Sequence, residues 1–262
     1  MRSRILVLAG LFFAVLPFAR ADEWSKTYTV TGKPDLRVET ADASIRVDTW
    51  DQNTIDVRVT TERYKIGDNI KIIEHQNSDS VEIEVRESHH NFVVSFGPGR
   101  LEVTVHMPRQ GKVNLHTGDG SITLANFKGD MDLQSGDGHE ELDEVDGSLR
   151  AHTGDGHIRA SCRFDALDIN TGDGRVEARA TTGSTIASSW NIRTGDGGVT
   201  LELPANLAAD VDLHTSDGHI SLDVPVSVEG RLGERSIHGK INGGGNPLTV
   251  HTGDGSIRLE KS

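Results

Sequence analysis

The sequence predicts an all-β protein wound as a single-stranded β-helix-like β-solenoid, with about seven or eight coils of roughly 18 to 20 residues. Three observations predict this fold. A short polar run built on Asp-Gly recurs through the second half of the chain, and its spacing is nearly constant. The residues on both sides of each run alternate between apolar and polar. Alternation of period two indicates short strands with one buried and one exposed face.

The Asp-Gly run occurs seven times and usually reads Thr-Gly-Asp-Gly. The first four aspartates are 18 residues apart, and gaps of 23, 21 and 37 residues follow. The longest gap predicts a degenerate copy at residues 233–237, in which Glu234 replaces the aspartate, and an earlier copy is predicted at residues 40–45. The seven aspartates are Asp119, Asp137, Asp155, Asp173, Asp196, Asp217 and Asp254.

The strand that precedes each run has apolar residues at its first and third positions, as in Val113/Leu115 and Met131/Leu133. Such strands could fold as an antiparallel sandwich, or they could wind so that equivalent strands stack in register about 4.8 Å apart. The near-identity of successive copies favours winding, because stacking places every copy in the same environment. Cys162 lies on the inward parity and is predicted to be a core thiol.

The Asp-Gly run has the composition of a tight corner. Glycine adopts a positive φ without penalty and aspartate tolerates it, so we expect positive φ angles there. The preceding Thr or Ser hydroxyl is placed to hydrogen-bond a corner amide. Stacked corners would bring carboxylates to about 5 Å, where unit charges repel by roughly 1 kcal/mol in water. A cation or a neighbouring base would relieve this repulsion.

Two kinds of metal site are therefore candidates. Histidines flank two of the corners on both sides, and two His with a carboxylate form a transition-metal ligand set. Calcium is the other candidate, because Gly- and Asp-rich β-roll repeats bind it. The alternatives are a solvated His/Asp surface ladder and ordinary turn chemistry. The candidate ligands are the seven corner aspartates with His152, His157, His214 and His219. No cofactor is predicted.

Residues 1–21 are predicted to be a secretory signal peptide, with Arg2 and Arg4 before an apolar run and Ala19-Arg20-Ala21 at its end. We expect an exported protein, periplasmic or secreted, with no transmembrane segment after cleavage. The net charge is −13, and loss of the three arginines of the signal makes it −16. This acidity argues against a nucleic-acid partner.

Residues 22–111 are predicted to be a less regular β segment that caps the solenoid of residues 112–262. The C-terminus shows no comparable cap, which allows edge-to-edge self-association through the last coil.

An opening with Leu36-Arg-Val38, residues 43–47 (Ala-Ser-Ile-Arg-Val) and residues 50–57 precedes the repeated Ser/Thr-Gly-Asp-Gly-x-Ile corners. In these features the chain resembles the bacterial "putative adhesin" family of exported β-strand-repeat proteins, a domain of unknown function related to adhesin head-type β-solenoids. The resemblance covers nearly all of the chain after the signal. It implies an adhesin-like role and no catalytic residues.

The sequence favours a non-enzymatic exported scaffold that binds an envelope or surface protein or polymer. A cation-binding envelope protein and a solenoid carbohydrate-active enzyme are the alternatives. Carboxylates are abundant, but none is distinguished from its repeats as an acid or nucleophile. Ser-His-Asp triads can be drawn from Ser121 or Ser256 and the many histidines, yet these residues are too frequent for such a triad to be informative.

Overall fold

The computed structural model describes residues 22–62, 64–87, 100–228 and 233–262. The predicted signal peptide lies outside the described residues. All regular secondary structure in these ranges is β, which confirms the prediction of an all-β protein. In the same ranges no helix has the length and hydrophobicity to cross a membrane. The strands are β1 (Asp22–Thr29), β2 (Asp35–Thr40), β3 (Ser44–Trp50), β4 (Thr54–Thr61), β5 (Ile70–Asn77), β6 (Ser80–Glu87), β7 (Leu101–Pro108), β8 (Gln110–Thr117), β9 (Ile122–Ala125), β10 (Lys128–Ser135), β11 (Glu140–Thr153), β12 (Ile158–Thr171), β13 (Val176–Ala180), β14 (Trp190–Thr194), β15 (Val199–Leu203), β16 (Ala209–Thr215), β17 (Ile220–Leu222), β18 (Val226–Val228), β19 (Ser236–Ile241), β20 (Pro247–Thr252) and β21 (Ile257–Lys261).

The strands of the repeats form two parallel series. The leading face contains the strands that enter a corner: β2, β8, β10, the second halves of β11 and β12, β14, β20 and β16. The trailing face contains the strands that leave it: β3, β9, the first halves of β11 and β12, β13, β15, β21 and β17. Because β11 and β12 have 14 residues each, both run through the two faces and join them.

Equivalent residues of successive repeats are neighbours in register. Met131 pairs with Val113 on one side and with Leu149 on the other, so the sequence offset is 18 residues in both cases. All three side chains are buried, and the inward residues of both faces form one hydrophobic core. Cys162 is a free, buried thiol within this core, as predicted, and burial raises its pKa to about 12.

The spatial order of the repeats differs from their order in the sequence at the C-terminal end. Strand β20 pairs with β14 on one side and β16 on the other, and β21 likewise lies between β15 and β17. The last repeat of the chain is therefore inside the stack. The prediction of an uncapped last coil at the C-terminus was wrong, because residues 247–261 are enclosed by neighbouring strands on both faces.

The predicted degenerate copy at residues 233–237 is also not a parallel repeat. Strand β19 runs antiparallel to β16, and β18 pairs antiparallel with β19. These two strands form the outer edge of the leading face at this end. The lost second glycine fits this difference, since residues 233–237 do not stack on another corner in the way that the other copies do.

The first repeat is interleaved in a similar way. Strand β2 lies between β6 and β8, and β3 lies between β7 and β9. The earlier copy predicted at residues 40–45 thus occupies a place in the stack. Strands β1, β4 and β5 lie beyond it, and the edges of β1 and β5 meet through Lys26 and Glu74 at 2.6 Å.

Candidate functional site

The Asp-Gly corners stack directly on one another through their backbones. The amide of Gly154 donates to the carbonyl oxygen of Gly136 at 2.6 Å, and the amide of Asp155 donates to the same oxygen at 3.2 Å. Hydrogen bonds equivalent to that from Gly154 to Gly136, at 2.5–2.8 Å, join eight corners in the described chain. Their donor and acceptor residues are Gly118 to Ala41, Gly136 to Gly118, Gly154 to Gly136, Gly172 to Gly154, Gly195 to Gly172, Gly253 to Gly195 and Ser216 to Gly253.

The hydroxyl group before each corner ties two repeats together, and its predicted bond to a corner amide is confirmed. The Thr153 hydroxyl accepts from the Gly156 amide at 3.1 Å and lies 3.2 Å from the carbonyl oxygen of Gly138 in the preceding repeat. The side chain of Thr153 is fully buried. The same pair of contacts recurs at Thr117, Ser135, Thr171, Thr194, Thr215 and Thr252.

The corner glycines do not adopt the positive φ angles that we predicted. Each repeat has a second bend, which we call the opposite corner, where the chain passes from the trailing face to the next leading-face strand. Positive φ occurs there instead, at Gly129 and Gly147. The glycines of the Asp-Gly corners are required by space: a Cβ on Gly156 would overlap with the carbonyl oxygen of Gly138. A positive φ and a lack of space for a Cβ both favour glycine. Only the lack of space depends on the neighbouring corner, because it comes from the close approach of that corner's backbone.

The corner aspartates form an exposed row along one edge of the molecule. All seven predicted aspartates are solvent-exposed, and Asp42 of the first repeat extends the row. Asp217, at the outer end, lies 3.2 Å from the Arg235 guanidinium. In the described ranges, no group of three or more His, Cys, Asp or Glu side chains is arranged to hold a metal ion.

The histidines pair between neighbouring repeats rather than across one corner. The rings of His139 and His157 stack in parallel with centroids 5.2 Å apart, and those of His214 and His251 meet edge to face at 5.9 Å. Nδ1 of His139 accepts from the backbone amide of His157 at 3.2 Å, which places the proton of a neutral ring on Nε2. The predicted ligand His152 is exposed, as is His157 on the other side of its corner.

One Ser-His-Asp arrangement lies at the antiparallel edge, at residues that the sequence did not single out. The Ser236 hydroxyl lies 3.3 Å from Nε2 of His238, and Nδ1 of His238 lies 3.1 Å from the Asp212 carboxylate. This is the connectivity of a nucleophile, base and orienting acid. However, the His238 side chain is 65% exposed and that of Asp212 is 46% exposed, so the interactions are weakened by water.

Acids at the opposite corner are neutralised by basic side chains. Arg163 pairs with both Asp146 and Asp165, and Lys128 lies 3.3 Å from Asp146. Hydrogen bonds from Arg163 lower the pKa of both carboxyl groups. This cluster links three successive segments of the chain. Its two carboxylates are already paired with basic side chains and are therefore not available to a cation.

Glu140 is a buried carboxyl group that the sequence reasoning missed. It is 1% exposed and pairs in register with Ile122 and Ile158, so its carboxyl group lies where the other repeats have an apolar side chain. Neither carboxyl oxygen has a hydrogen-bond partner in the described chain. Burial, with a smaller effect from the charge of Asp132, raises the pKa of Glu140 to about 9. Alignment of the repeats at this position would have found it.

The solved structures that are similar to the chain at low identity include the following three. A "putative cell adhesion protein" from Clostridium sporogenes is 14% identical, with 93% of this chain and 100% of that chain covered and a TM-score of 0.42. A "putative adhesin" from Parabacteroides merdae is 9% identical, with 91% and 96% covered and a TM-score of 0.42. A "putative lipid binding protein" from Parabacteroides distasonis is 10% identical, with 91% and 96% covered and a TM-score of 0.41.

No curated protein matches the sequence. The family described as Toastrack DUF4097 matches residues 109–260, which is more than half of the chain and includes all seven Asp-Gly corners. This match agrees with the resemblance to a family of unknown function with repeated β-strands. The chain belongs to the Toastrack DUF4097 family.

Proposed function

We propose that the protein is a non-enzymatic, exported scaffold of the cell envelope that binds a surface protein or polymer in an adhesin-like manner. In this proposal the repeats are the seven or eight coils of a β-solenoid, and residues 22–111 cover one end. Export is supported by the signal-like composition of residues 1–21. The observation that carries the proposal is the outer surface of the stack, where the equivalent outward residues of successive repeats lie side by side.

The leading face illustrates this surface. Asp132, Arg150 and Asp168 are neighbours in register on adjacent strands. The Arg150 guanidinium lies 3.7 Å from Asp132 and 3.8 Å from Asp168, so charges of alternating sign follow one another along the stack. Strands repeat about every 4.8 Å, and an extended ligand with its own regular repeat could contact several equivalent positions at once. Solenoids commonly use such extended surfaces for binding.

A binding experiment with the mature chain, residues 22–262, tests the proposal. Purified protein is incubated with isolated envelope and with its polysaccharide fraction, and both retention and substrate breakdown are measured. We expect saturable retention without turnover. We also expect Arg150→Glu to weaken retention more than Arg46→Glu, a matched exchange on the trailing face. Turnover that is lost in Ser236→Ala, or no retention on any fraction, would contradict the proposal.

Cation binding is a second candidate, favoured by the exposed row of stacked aspartates. Oxygen ligands from successive corners are the kind that Ca²⁺ prefers. The test is the thermal midpoint of the mature protein with calcium, zinc or a chelator, with Asp137→Asn/Asp155→Asn as the variant. A bound cation raises the midpoint of the wild-type protein and not that of the variant. An unchanged wild-type midpoint removes this candidate.

A further inference from the structure

The trailing face has a recess at Gly198. In stacking order, the first outward position after each corner is occupied by His139, His157, Arg175, Gly198, Ser256 and His219. Ser44 and Ser121 hold the same position in the first two repeats. Among these positions Gly198 alone has no side chain, and a cavity of about 290 Å³ opens at that point. A Cβ on Gly198 would lie 3.4 Å from the Ser256 carbonyl oxygen, so the gap is not required by backbone stacking.

Small hydroxyl side chains line the recess. Thr200 on β15 and Ser221 on β17 flank β21, and Ser256 directly precedes β21. The Ser256 hydroxyl lies 3.0 Å from Nδ1 of His219. No hydrogen bond within the described chain engages the hydroxyls of Thr200 and Ser221, so both can donate to a ligand.

Two arginines at the recess retain most of their hydrogen-bonding capacity. Arg175 approaches Glu177 only at 3.8 Å, and Arg258 approaches Glu260 only at 3.6 Å. Both distances exceed that of a hydrogen bond. By contrast, Arg179 on the same face holds Glu202 with two bonds of 2.6 and 3.0 Å.

The acidic group at the recess is already neutralised. The Glu177 carboxylate accepts two hydrogen bonds from Arg159, at 2.8 and 3.1 Å. Arg159, Arg175 and Arg258 together face two carboxylates, Glu177 and Glu260, so an excess of one positive charge is left at the recess in a protein whose net charge is −13. A guanidinium group beside hydroxyl donors is a typical binding arrangement for an oxyanion.

We propose that this recess binds an oxyanion group, such as a carboxylate, sulfate or phosphate, between Arg175 and Arg258. The inference goes beyond the proposed envelope-binding role, and the site would bind small anions whether or not that role holds. Gly198 provides the space, the two arginines provide the charge, and the hydroxyls of Thr200, Ser221 and Ser256 provide neutral donors.

The test is a titration of the ¹⁵N-labelled mature protein, followed by amide chemical shifts at constant ionic strength. The probes are sodium glucuronate, sodium sulfate and sodium phosphate, with chloride as the reference anion. We expect saturable shifts at Gly198, Ser256 and His219 with at least one probe. Glucuronate alone identifies a uronic-acid carboxylate as the ligand, whereas sulfate or phosphate identifies an ester oxyanion.

Three variants decide whether the shifts report this site. Arg175→Ala/Arg258→Ala should weaken binding at least about tenfold, and Gly198→Gln should abolish it by filling the recess. Arg46→Ala is the matched control, because Arg46 lies on the trailing face and makes a similar long contact of 3.9 Å to Glu102. Shifts that do not saturate with any probe, or affinities equal in the double variant and the wild type, would overturn the proposal. The remaining amide spectrum shows that each variant is folded.

Discussion

At the scale of single residues, Glu140 is a carboxyl group placed at an apolar position of the core. In the folded protein it keeps its proton up to a pKa of about 9, whereas the ordinary value is 4.5. Between these values the unfolded chain is ionised and the folded chain is not. The contribution of Glu140 to stability is therefore greatest below pH 4.5 and is lost as the pH rises toward 9, by on the order of 1.4 kcal/mol per pH unit.

Replacement of Glu140 by isoleucine, the residue at the neighbouring positions 122 and 158, should stabilise the protein and remove this pH dependence. The free energy of unfolding in urea, measured at pH 5 and pH 8, checks the prediction. The advantage of Glu140→Ile over the wild type should be several kcal/mol larger at pH 8. The exposed neighbour Glu141→Gln serves as control. An equal advantage at both pH values would show that Glu140 does not titrate between them.

Glycine at the Asp-Gly corners is required by the approach of the neighbouring backbone. Gly156→Ala should destabilise the protein by about 3 kcal/mol, because its Cβ would overlap with the Gly138 carbonyl group. Gly198→Ala adds the same methyl group where the nearest atom is 3.4 Å away and should be nearly neutral. Thermal unfolding of both variants makes the comparison, and equal midpoints would refute the spatial explanation.

At the scale of elements, each Asp-Gly corner is joined to the preceding one by backbone amides and by a buried hydroxyl. Thr153 serves both as acceptor for the Gly156 amide and as donor to the Gly138 carbonyl oxygen. Both partners are backbone groups that belong to buried residues. Loss of the hydroxyl would leave them without this partner, and buried unpaired polar groups are costly.

Thr153→Val keeps the shape of the side chain and removes the hydroxyl, so we expect a loss of about 2 kcal/mol. Thr153→Ser should retain most of the stability, because Ser135 makes the same contacts in the preceding repeat. Chemical denaturation of the two variants beside the wild type measures the difference. If valine were tolerated as well as serine, the buried hydroxyls that link successive corners would not contribute to stability.

At the scale of the whole molecule, the spatial order of the repeats differs from their order in the sequence at both ends of the stack. The first repeat, β2 and β3, pairs on its outer side with β6 and β7. The last repeat, β20 and β21, pairs on its outer side with β16 and β17. Neither terminal repeat is thus an open edge of the stack. The recess at Gly198 depends on this order, since Ser256 and Arg258 of the last repeat complete it.

The sequence predicts some of these features because they are local. Period-two alternation identifies the inward positions, such as Val113 and Leu115, and the repeated run identifies the corners. The spatial order of the repeats is not a local property. Residues 210–217 and 247–254 have nearly the same sequence pattern, and only the strand pairing shows which of the two segments lies inside the stack. The positive φ prediction failed because composition does not distinguish glycine needed for φ from glycine needed for space. Glu140 is predictable in principle, because an alignment of the repeats places it at a position that is isoleucine in both neighbouring repeats.

Disulfide cross-linking tests the exchanged order of the stack most directly. Asn191 on β14 pairs with Thr249 on β20, and Thr249 in turn pairs with Asp212 on β16. Adjacent strands are about 4.8 Å apart and can be bridged, whereas strands two places apart, at about 10 Å, cannot. Under mild oxidation, Asn191→Cys/Thr249→Cys should form an intramolecular disulfide and Asn191→Cys/Asp212→Cys should not, with the buried Cys162 remaining free. Cross-linking of the second pair and not the first would show that the repeats stack in the order of the sequence, and would contradict the account.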